Sequence, residues 1–232
     1  MKDSNKIYTM KKSITAIIPV RKNSVRLKNK NFLPFFKNKS LLEIKIDQLK
    51  EVKFIDKIVV SSDSSQAKKI AKKKNVGFHS RKKFFASSKC SGGEFFKNLA
   101  QSISGDYLVY CPCTSPIISK KTYNLFFQKF IRLNNKYDSF NTVSLLKTFI
   151  WKNKKPLNYN FFNAPNSQDL PDNYFALTFG INIIERKKMI KFKNIVGRKP
   201  MFLNLDKYES IDINDKFDFK TAKLIYNQRF RA

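Results

Sequence analysis

The chain has 232 residues, 42% of them hydrophobic and 14% aromatic, which is enough apolar material for one folded domain and excludes an intrinsically disordered protein. Its net charge is +30, but the 47 Lys and Arg residues are spread along the whole sequence and form no single stripe, so nucleic acid is not the expected partner. No apolar run approaches the roughly 20 residues of a membrane helix, and the polar start, Met1 to Lys12, lacks the apolar stretch of a secretion signal.

Strand and helix patterns alternate along the first two-thirds of the chain. In order, the sequence predicts a strand over 14–20, a helix over 41–53, a strand over 57–61, a helix from Ser64 or Ser65 to about 74, a strand over 76–79, a helix over 94–104, a strand over 106–111, a helix from Ser119 to about 133 and a strand over 139–146. Such alternation is typical of an α/β fold with a mostly parallel, doubly wound sheet, which binds ligands at the carboxyl ends of its strands.

The alternation stops between residues 147 and 173, in a stretch rich in Pro and Asn. This stretch is too long for a simple connection and is interpreted as an irregular insertion. A strand over 174–184, a Lys-rich helix, a strand over 201–205 and a helix over 217–231 complete the chain. Because no linker or repeat interrupts it, we expect a single domain over 1–232.

The cysteine and histidine content limits the possible chemistry. Cys90, Cys111 and Cys113 are odd in number, which argues against a disulfide framework and fits a cytoplasmic location. With His79 as the single histidine, a zinc site and a Ser-His-Asp or Cys-His nucleophile are not expected.

The loop after the first strand is strongly cationic. It carries Arg21, Lys22, Arg26, Lys28 and Lys30, interleaved with small polar residues. Arg and Lys side chains neutralise phosphates, and a buried strand fixes the loop that presents them, so the pattern predicts the triphosphate-binding loop of a nucleotidyltransferase. The alternative is a solvated basic loop.

Other polar turns follow later strands. Ser61 to Ser64 follows the second strand, and Pro112 to Pro116 follows the fourth. Near the end, Asp212 and Asn214 would lie on the same side of an extended segment, where their oxygens could bind Mg²⁺. Alternatively, Asn214 or Asp215 only caps the last helix.

Five segments together resemble the acylneuraminate cytidylyltransferase family, the CMP-sialic acid synthetases. They are residues 17–31, Val59 to Ser64, Thr114 to Pro116, Gln168 to Pro171 and Ile211 to Asn214. They occur in the family's order and spacing, so the similarity covers essentially the whole chain.

The resemblance implies a Rossmann-like nucleotidyltransferase fold, a CTP substrate, Mg²⁺ as cofactor and a homodimer formed through the insertion 147–173. The acceptor oxygen would attack the α-phosphorus of CTP, and pyrophosphate would leave. The implied site residues are Arg21 and Lys30 as catalytic residues on the triphosphate, with Ser24 and Arg26 in support; Asn31, Arg81 and Ser91 at the cytosine; Thr114, Ser115, Gln168 and Asp169 at the acceptor; and Asp212 and Asn214 at the metal.

The sequence also departs from the family pattern. Lys22 and Asn23 replace two glycines of the loop motif, and Val25 replaces a lysine. Asn214 stands where the family has a second aspartate, and a neutral ligand would weaken a Mg²⁺ site. On the acceptor side, Asn166 and Ser167 replace an arginine pair, one member of which holds the sugar-acid carboxylate in the family.

We therefore predict a cytoplasmic, Mg²⁺-dependent cytidylyltransferase that transfers CMP from CTP to an acidic small-molecule acceptor. The expected acceptor is a sugar acid of the nonulosonic or ulosonic class, activated for surface glycan synthesis. Two alternatives stay open: CMP activation of a different small anion such as a phosphonate, and a non-catalytic homologue that binds nucleotide or RNA.

Overall fold

The computed structural model describes residues 12–22, 24 and 26–230. Its strands, in chain order, are β1 (Ile14–Val20), β2 (Pro34–Phe36), β3 (Lys39–Ser40), β4 (Lys57–Ser62), β5 (Gly77–Ser80), β6 (Tyr107–Tyr110), β7 (Ser139–Leu145), β8 (Trp151–Lys152), β9 (Lys155–Pro156), β10 (Phe175–Glu185) and β11 (Pro200–Asn204). Its helices are α1 (Leu41–Lys50), α2 (Ser65–Lys73), α3 (Lys83–Ala86), α4 (Gly92–Ser102), α5 (Lys120–Leu133), α6 (Arg186–Phe192) and α7 (Lys216–Arg229).

Seven of these strands form one central sheet in the spatial order β11-β7-β10-β6-β1-β4-β5. Neighbouring strands run parallel except at β10, which is antiparallel to both β6 and β7. The predicted mostly parallel α/β sheet flanked by helices is confirmed. The reversed direction of β10 is an addition that the sequence pattern did not indicate.

Strand β1 lies inside the sheet, and its side chains supply both faces of the core. Ala16 and Ile18 belong to a core cluster with residues of α1, α2, α5 and α7, whereas Ile17 belongs to a second cluster with residues of α4 and α6. A strand covered on both faces must be apolar at nearly every position, which explains the continuous apolar run that ends at Val20.

Helix boundaries follow the capping residues. Ser64 and Ser119 cap α2 and α5 as predicted, and Asp215, one of the two predicted candidates, caps α7. Helix α4 begins at Gly92, earlier than predicted, because Ser91 and Glu94 form a capping box. Helix α1 ends at Lys50, before the predicted boundary at 53.

The insertion between 147 and 173 contains two short elements. A hairpin of β8 and β9 is followed by a 3₁₀ turn, Ser167–Asp169. Predictions for the polar start and for the loop positions Asn23 and Val25 fall on residues outside the described part, as does the last predicted residue of the terminal helix. Among the described residues, no helix has the length and apolar character needed to cross a membrane.

Candidate functional site

A cavity of about 400 Å³ opens where β1 and β6 end, at the edge of the sheet that the topology favours for ligands. Eight predicted site residues line it, namely Arg21, Ser24, Arg26, Lys30, Asn31, Arg81, Thr114 and Asn214. Four lining residues were not predicted, namely Pro19, Phe95, Tyr110 and Pro112. The structure thus gathers most of the predicted nucleotide-binding residues in one place.

The basic loop after β1 is held at both ends. The backbone N–H of Lys22 donates a hydrogen bond to Asp63 Oδ1 at 2.8 Å, which ties the start of the loop to the turn after β4. At the other end, the Lys30 ammonium donates to the backbone carbonyl of Ile213. Burial lowers the pKa of Lys30, an effect that the nearby Asp212 carboxylate opposes. The loop is therefore anchored to two other segments of the cavity wall.

Arg81 brings a buried cation to the cavity. Its side chain is only 3% exposed, it donates to the Val20 carbonyl, and its guanidinium carbon lies 5.3 Å from the centroid of the Phe95 ring. Its Nε atom is buried and has no hydrogen-bond partner among the described residues. Burial lowers the pKa of Arg81 to about 10, so the side chain remains charged at neutral pH.

The segment before α7 places Asp212 and Asn214 together, as predicted for an extended chain. Asn214 Nδ2 donates to Asp212 Oδ2 at 3.0 Å, and Arg26 donates to Asn214 Oδ1 at 2.6 Å. Asn214 thus links a guanidinium of the basic loop to the carboxylate. Among the described residues there is no group of three or more His, Cys, Asp or Glu side chains that could hold a metal ion.

This segment can supply one carboxylate ligand to a Mg²⁺ ion. Mg²⁺ bound with a nucleotide commonly takes one or two carboxylates together with phosphate oxygens and water. Asp212 can supply one carboxylate, because only its Oδ2 atom accepts a hydrogen bond within the described part of the chain. The amide oxygen of Asn214 already accepts from Arg26.

The turn 112–116 is fixed from behind by a buried lysine that the sequence analysis missed. The Lys45 ammonium donates to the Ser115 carbonyl and to the Tyr123 hydroxyl, each at 2.8 Å. Lys45 is fully buried, which lowers its pKa to about 8. In front of the turn, the Ile213 N–H donates to the Thr114 carbonyl at 2.8 Å. The helical spacing of α1 gave no signal for Lys45 beyond its position among apolar neighbours.

Five predicted residues do not line the cavity. Ser91 caps α4, where its hydroxyl bonds to Glu94. Ser115 is buried, and Asp212 lies near the cavity-lining residues Lys30 and Asn214 without lining the cavity itself. Gln168 and Asp169 are exposed on the 3₁₀ turn of the insertion, where the Gln168 carbonyl accepts from Lys147 at 3.1 Å.

Comparison with known proteins identifies the family of the chain. A family model described as cytidylyltransferase matches residues 15–175. N-acylneuraminate cytidylyltransferase of Escherichia coli O18:K1:H7 (strain RS218 / NMEC) is 28% identical over 233 residues, covering 96% of this chain and 54% of that protein. The chain therefore spans about half the length of this curated relative.

Solved structures resemble the whole chain. The structure of CMP:2-keto-3-deoxy-manno-octonic acid synthetase complexed with CTP has a TM-score of 0.68 at 10% identity, covering 94% of this chain and all of that one. A 4-diphosphocytidyl-2C-methyl-D-erythritol synthase from Anaerococcus prevotii DSM 20548 has a TM-score of 0.66 at 15% identity, covering 93% and 99% of the two chains. At these identities the likeness shows the fold alone, a mostly parallel Rossmann-like sheet flanked by helices.

Proposed function

The chain is a divergent member of the cytidylyltransferase family, and from this premise we propose that it transfers CMP from CTP to a small acidic acceptor and releases pyrophosphate. One observation carries the proposal: four cationic side chains, Arg21, Arg26, Lys30 and Arg81, line a single cavity at the carboxyl ends of the strands. Such a cluster would repel itself without an anionic ligand, and a nucleoside triphosphate supplies the matching charge.

The proposed reaction requires the protein mainly to position the two substrates and to neutralise the negative charge of the triphosphate. The acceptor oxygen attacks the α-phosphorus of CTP, the bond from that phosphorus to the bridging oxygen breaks, and pyrophosphate leaves. Arg21 and Lys30 hold the triphosphate and stabilise the negative charge that develops on the leaving group, with Ser24 and Arg26 beside them.

For the metal, we propose one Mg²⁺ bound through Asp212. When bound, such an ion neutralises phosphate charge and orients the triphosphate. Asn214 holds the Asp212 carboxylate by its amide N–H and holds Arg26 by its amide oxygen. Arg26 is thereby linked through Asn214 to the carboxylate that would hold the ion.

At the base, we propose Asn31 and Arg81 as the contacts. Both line the cavity, and Phe95 and Tyr110 add aromatic surface next to them. The Ser91 hydroxyl already forms hydrogen bonds in the capping box of α4, so Ser91 is not a proposed base contact.

The acceptor is proposed to be a sugar acid of the nonulosonic or ulosonic class. The curated relative is named for an N-acylneuraminate and the structure with the TM-score of 0.68 for a 2-keto-3-deoxy-octonic acid, and both names denote sugar acids. Thr114 lines the cavity and is the proposed acceptor contact. Gln168 and Asp169 are exposed on the insertion and do not line this cavity.

We also propose that the protein is a cytoplasmic homodimer joined through its insertion. The free thiols Cys90, Cys111 and Cys113 fit a reducing compartment. Phe161 and Phe162 on the insertion are 60% and 94% exposed, and exposed aromatic clusters of this kind mark interaction surfaces.

The experiment that tests the proposed nucleotide site is CTP binding by titration calorimetry. Arg21→Ala removes a charge-assisted phosphate contact, and we expect its Kd for CTP to rise about tenfold or more. Arg132→Ala, which removes an exposed arginine at the end of α5, is the matched control and should bind CTP like the wild type. Equal affinities in the two variants would contradict the site.

A further inference from the structure

We propose that Cys113 is a positioning residue that sets the base preference of the cavity by fixing the orientation of the Asn31 amide. This inference rests on the proposed function, because it identifies what makes the cavity select cytosine from other pyrimidines.

The observation is a buried contact between two segments that are distant in sequence. Cys113 Sγ lies 3.2 Å from Asn31 Oδ1, and the two residues are 1% and 5% exposed. Asn31 belongs to the 3₁₀ turn Lys30–Phe32 that ends the basic loop, and Cys113 belongs to the turn after β6. The contact therefore joins two walls of the same cavity.

The hydrogen bond runs from the Cys113 thiol to the amide oxygen Oδ1 of Asn31. Burial raises the pKa of Cys113 to about 12, so the thiol keeps the proton that this donation requires at neutral pH. The opposite end of the amide, Nδ2, consequently points away from Cys113.

That nitrogen is available to a ligand. Asn31 lines the cavity, and Nδ2 has no hydrogen bond within the described residues. The amide therefore presents N–H donors, and not a carbonyl oxygen, to the bound base.

Donors at this position distinguish two pyrimidines. The two bases share an acceptor at O2 and differ at N3, so the proposal places Asn31 Nδ2 at N3 of the base. Cytosine N3 accepts a hydrogen bond there, whereas uracil carries an N–H donor at N3, which an amide N–H opposes. If the amide turned over, its oxygen would accept from the uracil N3–H instead. The thiol of Cys113 thus prevents the orientation that would favour UTP.

The turn that carries Cys113 is rigid enough for this role. Its next two residues are held by the Ile213 N–H on the Thr114 carbonyl and by the Lys45 ammonium on the Ser115 carbonyl. A side chain on such a fixed turn can hold its hydrogen-bond partner in one orientation.

The test is the ratio of CTP to UTP affinity, measured by titration calorimetry in Cys113→Val and Cys113→Ser. Valine has no donor, and we expect it to lower the ratio about tenfold because the amide is free to turn over. Serine keeps an O–H donor and should retain the ratio within about twofold. Cys111→Val is the matched control: it replaces a buried thiol two residues away that has no hydrogen bond among the described residues, and its ratio should equal that of the wild type.

The outcomes separate this inference from the proposed function. A wild-type protein that binds neither nucleotide overturns the proposed function and this inference with it. Binding of CTP by the wild type, with an unchanged ratio in Cys113→Val, overturns this inference alone. If Cys113→Val does not fold, as judged by its thermal unfolding, Cys113→Ala serves instead, because alanine also offers no donor; an unchanged ratio there also overturns the inference.

Discussion

At the residue scale, Lys45 shows that a lysine can be a buried structural residue even in a strongly basic chain. A lysine in a chain with 47 Lys and Arg residues looks like one more surface charge, yet this one is fully buried and bonds to Ser115 and Tyr123. Apolar neighbours at positions 41, 42, 44 and 46 are compatible with this burial but did not predict it. The position of Lys45 inside the fold, and not the local pattern, allows it to support the turn that carries Ser115.

The low pKa of Lys45 predicts a pH-dependent difference in stability. Its pKa is about 8 in the folded protein and near 10.5 when exposed, so between these values the unfolded chain binds more protons and stability rises with pH. Relative to Lys45→Met, the wild type should gain about 2 kcal/mol in free energy of unfolding between pH 8 and pH 10. Urea unfolding of both proteins across this range measures the gain, and a constant difference would contradict the buried ammonium.

A second residue-scale prediction concerns the metal. Asp212→Ala removes the single proposed carboxylate ligand and should weaken Mg²⁺ binding in the presence of CTP about tenfold or more, whereas Asn214→Asp adds a carboxylate and should strengthen it. Mn²⁺ binding followed by electron paramagnetic resonance reads the metal directly. An Asp212→Ala protein with an unchanged metal affinity would leave this segment with a capping role only.

At the element scale, some helix starts were predicted from their capping residues, whereas the start of α4 was not. Ser119 was predicted to begin its helix, and Ser64 was one of two candidates, with Ser65, for the start of another; the structure has Ser64 and Ser119 as caps. Ser91 was assigned to the cytosine through the family resemblance, although Ser91 and Glu94 already have the spacing of a capping box. That local signal could have identified the helix start before the structure did.

The capping role of Ser91 is testable apart from nucleotide binding. Ser91→Ala should lower the free energy of unfolding by about 1 kcal/mol, and Ser91→Asp, with another good capping side chain, should largely preserve it. Both variants should bind CTP within about twofold of the wild type. If both weakened CTP binding tenfold while remaining folded, the hydroxyl would be a base contact after all.

The strand order shows why pattern alone does not give the complete sheet. The apolar runs predicted the strands with small errors at their ends, because a buried parallel strand requires them. Whether a strand enters parallel or antiparallel depends on the path of the chain before it. The long insertion between β7 and β10 allows β10 to return between β6 and β7 in the opposite direction.

At the scale of the whole molecule, the exposed aromatic residues of the insertion predict a dimer. Phe161→Ser together with Phe162→Ser removes the most exposed rings of this surface. We expect light scattering to show a dimer for the wild type and a monomer for the double variant at the same micromolar concentration. Matched substitutions at exposed Leu125 and Ile131 on α5 should leave the mass unchanged. A monomeric wild type would contradict the proposed interface.

The candidate site was predictable where its residues follow one strand and less so where it is assembled from distant segments. Arg21, Ser24, Arg26, Lys30 and Asn31 were found because they share one loop. The cavity contacts of Phe95 and Tyr110 depend on how α4 packs beside β6, which no local pattern describes.

The most direct test of cytidylyl transfer is pyrophosphate release from CTP in the presence of Mg²⁺ and a panel of acids. The panel holds sialic, legionaminic, pseudaminic and 3-deoxy-octulosonic acids and simple phosphonates, with ATP, GTP and UTP replacing CTP as controls. We predict release with CTP and a sugar acid, at a rate well above that of the Arg21→Ala protein. Release no faster than in Arg21→Ala with every acceptor would contradict the proposal.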